Sequence, residues 1–328
     1  MPDPGLHVRR ATPTDRPGIL ALAGRSLGWT PGDATERHFA WKHDENPFGP
    51  SPMWVAEVDG RLAGFRTFLR WELVGPDGTV HRVVRAVDTA TDPAFQGRGV
   101  FTALTLGALD ELRVEGVDFV FNTPNAQSRP GYLKMGWGVV GTLPVAMRPS
   151  GPGGLVRIVR ARTPADRGAL PTDVGRGATG TLDDPGVATA LLALGSTPPG
   201  LHTHRSPAYL AWRYGPAALH YRVVTASSDP AEGAAVIHLR RRGPAVEAVV
   251  ADLFAPDPTT ARRVLRAVAR GAGADYLIRL RTPSDRPFGH GFVPVPRVGP
   301  TLTARTVATD PPADLSGWSL TMGDVELF

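Results

Sequence analysis

The stretch Asp88 to Leu104, DTATDPAFQGRGVFTAL, constrains the fold more than any other part of the chain. A β-rich run ends in a turn with two spaced glycines, and helix-forming residues follow at once. A strand that enters a helix through such a turn points several backbone N–H groups, and the positive end of the helix dipole, at one spot. Such a spot binds phosphate. The turn matches neither G-x-G-x-x-G nor G-x-x-x-x-G-K-[ST]. A helix start that merely tolerates glycine is the plainer alternative, and the turn alone leaves both readings open.

The flanking segments supply the architecture. Leu6 to Ala11 reads as a strand, Thr12 or Thr14 can cap a helix running to about Leu27, and Ala34 to Trp41 is a second, short helix ended by the proline-rich ENPFGPSP. From Met53 to Thr91 the pattern is strand, turn, strand, turn, strand, with Asp59-Gly60 and Asp77-Gly78 at the tips. That is an antiparallel meander. After the glycine turn, Val100, Phe101, Leu104, Ala108, Leu109 and Leu112 recur at helical spacing, and VDFVFNTP from Val117 to Pro124 is a continuous apolar strand. A helical crossover between strands makes the pair parallel. A short helix around Ala126 to Met135 and a last strand, GVVGTLPVAMR, complete an α+β unit of residues 1–148.

Composition removes several function classes. The 328 residues are 42% hydrophobic with no apolar run near the roughly 18 residues that span a bilayer, so no membrane partner is expected. Charges at Asp3, Arg9, Arg10, Asp15, Arg16 and Arg25 leave no secretory h-region, and a soluble, cytoplasmic protein is expected. With no cysteine, disulfides, Cys-ligated zinc and thiol catalysis are excluded, and no metal-ligand spacing occurs. The formal charge of +5 is scattered apart from Arg240 to Arg242, which argues against nucleic acid and for anionic small molecules.

A second stretch, NAQSRPGYLKMGW, places Asn125, Ser128, Tyr132, Gly136 and Trp137 at offsets 0, 3, 7, 11 and 12. Together with Gln96, Gly97, Arg98, Gly99, Val100 and Phe101 it resembles the two signatures of the GNAT superfamily of acyl-CoA-dependent N-acyltransferases: Q/R-x-x-G-x-G/A, then N-x-x-[AS]-x-x-x-Y-x-x-x-G-[FW]. The resemblance covers about residues 5–148, and the order of elements is the family's. One position departs from the pattern, since Phe101 stands where the family has Gly or Ala; it either crowds the pyrophosphate or packs inward.

The resemblance implies a site. The backbone of Thr89, Ala90 and Thr91 would lie along the pantetheine arm of acetyl-CoA or another acyl-CoA, Gln96 to Phe101 would cradle the pyrophosphate, and Tyr132 would protonate the departing thiolate. A buried structural tyrosine is the alternative. Asn125 and Ser128 would hold the cofactor arm or cap the short helix. The attacking amine needs a proton acceptor; Asp88 is the first candidate, and Asp44, Glu45 and Glu57 are substrate-contact candidates.

The second half repeats the first in outline. After a Gly-, Pro- and Arg-rich linker, 149–181, and a helix near Pro185 to Leu194, YLAWRYGPAALHYRVV parallels HFAWKHDENPF, aligning Trp212 with Trp41. The segment around TTARR replaces the glycine turn without a glycine, and Phe288 falls in the region equivalent to Tyr132. Residues 182–328 are therefore expected to form a degenerate second GNAT-like domain without a phosphate cradle. The terminal WSLTMGDVELF is expected to add a closing strand, with Asp324 and Glu326 at the acceptor cleft. The expected fold is α+β with mixed sheets, two tandem GNAT-like domains. The expected function is transfer of an acetyl group to the primary amine of a small polar acceptor, by a monomer or homodimer. A non-catalytic acyl-CoA sensor, a protein amine acetyltransferase and a purely structural partner are the alternatives.

Overall fold

The computed structural model describes residues 5–326 apart from 152, 155, 156, 158–164, 167, 196, 283, 284, 286–288 and 297. Phe288 lies outside the described residues. The chain divides into two units, 1–73 with 79–141 and 300–313, and 74–78 with 142–299 and 314–328.

In the first unit, β1 (Leu6–Arg10), β2 (Met53–Val58), β3 (Arg61–Val74), β4 (Val80–Thr91), β5 (Phe119–Asn122) and β6 (Gly138–Thr142) carry four helices between them: α1 (Arg16–Leu27), α2 (Asp33–His43), α3 (Val100–Val114) and α4 (Arg129–Lys134). Strands β1 to β4 are consecutive neighbours, as a meander requires. Asp59 and Gly60 both take positive φ, 51° and 72°, at the first tip, the combination that a two-residue hairpin matching strand twist needs. β4 and β5 pair in parallel through Val84↔Val120 and Arg85↔Phe121. Registered pairing stops there, so Ala86–Thr91 runs on without a β5 partner.

The core lies on both faces of this sheet. On one, Val100, Leu104, Ala108, Leu109 and Leu112 of α3 pack on Trp54, Ala56, Phe68 and Val84. On the other, Ile19, Leu22 and Phe39 from α1 and α2 pack on Val55, Phe65 and Ala90. Gly64 admits α3 to the sheet: a Cβ there would stand 2.7 Å from Val100 Cγ1 and 3.0 Å from the Ala90 carbonyl oxygen.

The second unit repeats the order. It contains β7 (Val145–Pro149), α5 (Pro185–Ala193), α6 (Pro207–Tyr214), β8 (Arg222–Thr225), β9 (Ala234–Arg242), β10 (Ala245–Phe254), α7 (Pro258–Gly271), β11 (Tyr276–Leu280) and β12 (Val293–Val295). β8 to β10 form an antiparallel meander, and β10 pairs with β11 in parallel across α7. The repeat reaches individual side chains. α2 ends Trp41-Lys42-His43 and α6 ends Trp212-Arg213-Tyr214, all buried. His43 Nε2 lies 3.0 Å from Asp88 Oδ2, and the Tyr214 hydroxyl donates to Asp252 Oδ2 at 2.5 Å. Both aspartates sit at irregularities of their strands: Asp88 has φ 40°, and the β9–β10 register shifts beside Asp252.

Three expectations need correction. GVVGTLPVAMR is two strands: β6 stays with the first sheet, whereas β7 pairs with β11 and β12 in the second. In return β13 (Thr301–Thr306) stands between β5 and β6, so neither unit is a contiguous half. The expected linker also contributes to the second sheet, since Ala169–Leu170 pairs with β9 and Arg176–Gly177 with β8. Finally, the closing strand is a short helix, α8 (Met322–Val325), started by a capping box of Thr321 and Asp324.

Candidate active site

The glycine turn has the geometry that its sequence predicts. Gly97 and Gly99 take φ 78° and 79°, a left-handed conformation that costs other residues about 1–2 kcal/mol. Gln96 to Gly99 are exposed. Gly99 is the N-cap of α3, no side chain caps the helix, and its first turn holds no acidic residue. The first-turn N–H groups are therefore left for a ligand. The second unit closes the same position: Asp257 caps α7, accepting from the amides of Thr259 at 2.7 Å and Thr260 at 3.0 Å and from Thr260 Oγ1 at 2.8 Å. The Thr260 hydrogen bonds hold the Asp257 carboxyl below its usual range. A carboxylate already occupies that helix end.

Phe101 packs inward. It meets Tyr132 edge-on, with ring centroids 5.5 Å apart and planes at 85°, so it does not crowd the turn. Tyr132 is buried on α4 with Trp137 on another side, centroids 5.2 Å apart. Its hydroxyl has no hydrogen-bond partner among the described residues. Asn125 and Ser128 bond to each other: Asn125 Oδ1 accepts from the amides of Gln127 and Ser128 at 3.1 and 2.8 Å and from Ser128 Oγ at 3.0 Å. These bonds close the turn before α4, and neither side chain caps an amide of the helix itself.

Thr89, Ala90 and Thr91 lie on the end of β4 that runs past its register with β5, next to the bulge at Asp88. Thr67 Oγ1 donates to the Val87 carbonyl at 2.8 Å and steadies that bulge. Asp88 is not free to act as a base. It accepts from Lys42 Nζ at 2.7 Å and from His43 Nε2 at 3.0 Å, and His43 Nδ1 is 3.0 Å from Ser51 Oγ. Burial alone would raise the Asp88 carboxyl, but the Lys42 charge and the His43 hydrogen bond outweigh it and hold it well below the carboxylate range. Burial pushes His43 below its usual value despite Asp88. A carboxylate so strongly held anion is a weak proton acceptor. It clamps α2 to the strand that carries Thr89.

The substrate-contact candidates scatter. Asp44 is exposed and pairs with Arg16 at 2.5 Å, and Glu45 is exposed. Glu57 is tied to Arg9, which also holds Asp15. Asp324 has 0% exposure and accepts from Thr203 Oγ1 at 2.7 Å and Arg205 Nη2 at 3.2 Å. Glu326 accepts from His238 Nε2 at 3.0 Å and from Arg240. Asp324 and Glu326 are thus consumed inside the second unit, because each has cationic or hydroxyl donors as near neighbours.

Sequence reasoning missed Arg66. On β3 its side chain is 0% exposed, its Nη1 donates to Thr89 Oγ1 at 2.7 Å, and its guanidinium carbon lies 5.2 Å from the Tyr132 ring centroid and 5.6 Å from that of Phe101. Among the described residues, no group of three or more His, Asp or Glu side chains could hold a metal ion, and no helix is long and apolar enough to cross a membrane.

Comparisons with known proteins agree with this geometry. Residues 7–140 match the family model for an acetyltransferase (GNAT) domain. Mycothiol acetyltransferase of Saccharopolyspora erythraea is 34% identical over 118 residues, 34% of this chain and 36% of that protein; the enzyme of that name from Nocardia farcinica is 31% identical over 147 residues, 42% and 46%. The chain thus spans less than half the length of these relatives. A GCN5-related N-acetyltransferase from Anabaena variabilis has the same fold, with a TM-score of 0.65 at 14% identity over 92% of this chain and 73% of that one. Residues 7–140 thus carry a GNAT acetyltransferase domain, on a fold of two GNAT-like units.

Proposed function

We propose that the chain transfers an acetyl group from acetyl-CoA to the primary amine of a small polar acceptor, with Tyr132 as the general acid. The observation that carries the reading is the contrast between two helix starts in one chain. That of α3 has left-handed glycines and no capping side chain, and that of α7 is filled by Asp257. The uncapped amides of α3 suit a pyrophosphate, and the β5-facing side of Thr89 to Thr91, past the β4–β5 register, suits an extended pantetheine arm. Bound acetyl-CoA supplies an activated thioester. Tyr132 supports the proton-donor reading because its ring is fixed on three sides while its hydroxyl is uncommitted. Since Asp88 is held by Lys42, the amine proton leaves through solvent. The relatives' name, mycothiol acetyltransferase, favours a small-molecule acceptor. The test is release of free thiol from acetyl-CoA across a panel of small amines. Release that depends on both an amine and Tyr132 supports the reading, and an inert chain that still binds acetyl-CoA would make it a sensor.

A further inference from the structure

Arg66 is a buried cation without an anion among the described residues. Among the described residues its buried Nε and Nη2 atoms have no hydrogen-bond partner and no carboxylate pairs with it. Leaving a buried charge uncompensated is strongly unfavourable, and aromatic faces recover only part of the cost. Those faces are Phe68 at 4.7 Å, Tyr132 at 5.2 Å and Phe101 at 5.6 Å from the guanidinium carbon. Three of its neighbours belong to the three parts of the candidate site: Thr89 to the strand end past the β5 register, Phe101 to the first turn of α3, and Tyr132 to the acid. A cation at the point where these parts meet is placed for negative charge that appears only during reaction.

We propose that Arg66 is an electrostatic positioning residue for the leaving sulfur, acting through Tyr132 and Thr89. This rests on the acyltransferase reading. The amine nitrogen forms a bond to the acyl carbon, the C–S bond breaks, and its electron pair stays on sulfur. The Tyr132 proton passes to that sulfur, the amine releases its surplus proton to solvent, and solvent returns one to Tyr132. Arg66 favours the negative charge throughout, first on sulfur and then on the phenolic oxygen. The other charged groups around this spot are Asp88 on β4, neutralised by Lys42 of α2, and Arg98 in the exposed turn.

The test uses CoA itself, titrated with pH while bound and read as the ultraviolet absorbance of its thiolate against the complex with thiol-free CoA. In the native chain the bound thiol should ionise about one to three pH units lower than in Arg66→Met, the usual effect of a cation within about 4–6 Å. Turnover of Arg66→Met should fall about 10- to 100-fold with the acetyl-CoA KM within about twofold. The melting temperature should hold or rise, because an unpaired buried charge is removed. If Arg66→Met does not fold, Arg66→Lys should titrate like the native chain and Arg66→Gln as expected for Met. Coincident titrations of charged and neutral variants would overturn the proposal while leaving the acyltransferase reading intact. No CoA binding by the native chain would overturn both.

Discussion

Asp88 accepts a 2.7 Å hydrogen bond from Lys42, a lysine with 3% of its side chain exposed. The pair joins the end of α2 to the bulged end of β4, so the strand beside the candidate site is held in place by a buried charge pair. Breaking such a pair from one side costs about 3–5 kcal/mol, because the other charge is left buried. Asp88→Asn should therefore destabilise the chain by about that amount in denaturant unfolding. A loss below about 1 kcal/mol would mean that Lys42 finds another anion.

The same cluster sets the acid response. His43 is held neutral below its ordinary value of 6.5, so the unfolded chain binds more protons and stability should begin to fall as pH drops below about 6.5. Asp88 is held below its ordinary 3.8, and the stability it contributes, fully present above that value, should be lost as pH falls further. Melting curves between neutral pH and pH 3 should show both losses, and His43→Gln should flatten the first. An unchanged first phase would assign it to another group.

Tyr132→Phe removes a hydroxyl that has no hydrogen-bond partner among the described residues, so its stability change should stay within about 0.5 kcal/mol. Turnover should fall roughly 10² to 10⁴-fold, the usual worth of a positioned proton donor. Near-native turnover across pH would show that water protonates the sulfur.

A chain cut after Ser150 keeps the whole GNAT match but loses β13, which separates β5 from β6. It should fail to fold as a soluble monomer, with exposed strand edges open to aggregation. A soluble fragment with the native melting temperature would contradict the strand exchange.

Much of the first unit was legible because its signals are local: turn dipeptides, period-two strands, the 3.6 period of α3 and one motif at fixed offsets. What was missed is non-local. The alternation in Val145–Pro149 reveals a buried strand and not which sheet receives it. Arg66 sits in RLAGFRTFLRW, where an arginine reads as a solvent-facing residue, and only the fold encloses it. Asp88 looked available because its partners lie 45 and 46 positions earlier, on α2. The T-x-x-D of Thr321 and Asp324 was a readable capping signal that the apolar neighbours disguised as a strand. The missing glycine at TTARR, by contrast, signalled the lost phosphate cradle, although the capping role of Asp257 was not read.

The central claim is that, among the described residues, α3 alone offers a phosphate cradle. Titration calorimetry of the full chain with acetyl-CoA tests it most directly. One molecule should bind per chain, and Gly97→Val with Gly99→Val, which forces β-branched residues into left-handed backbone at about 1–2 kcal/mol each, should abolish that binding in a chain that stays folded. Two molecules per chain, or undiminished binding by the folded double variant, would contradict it.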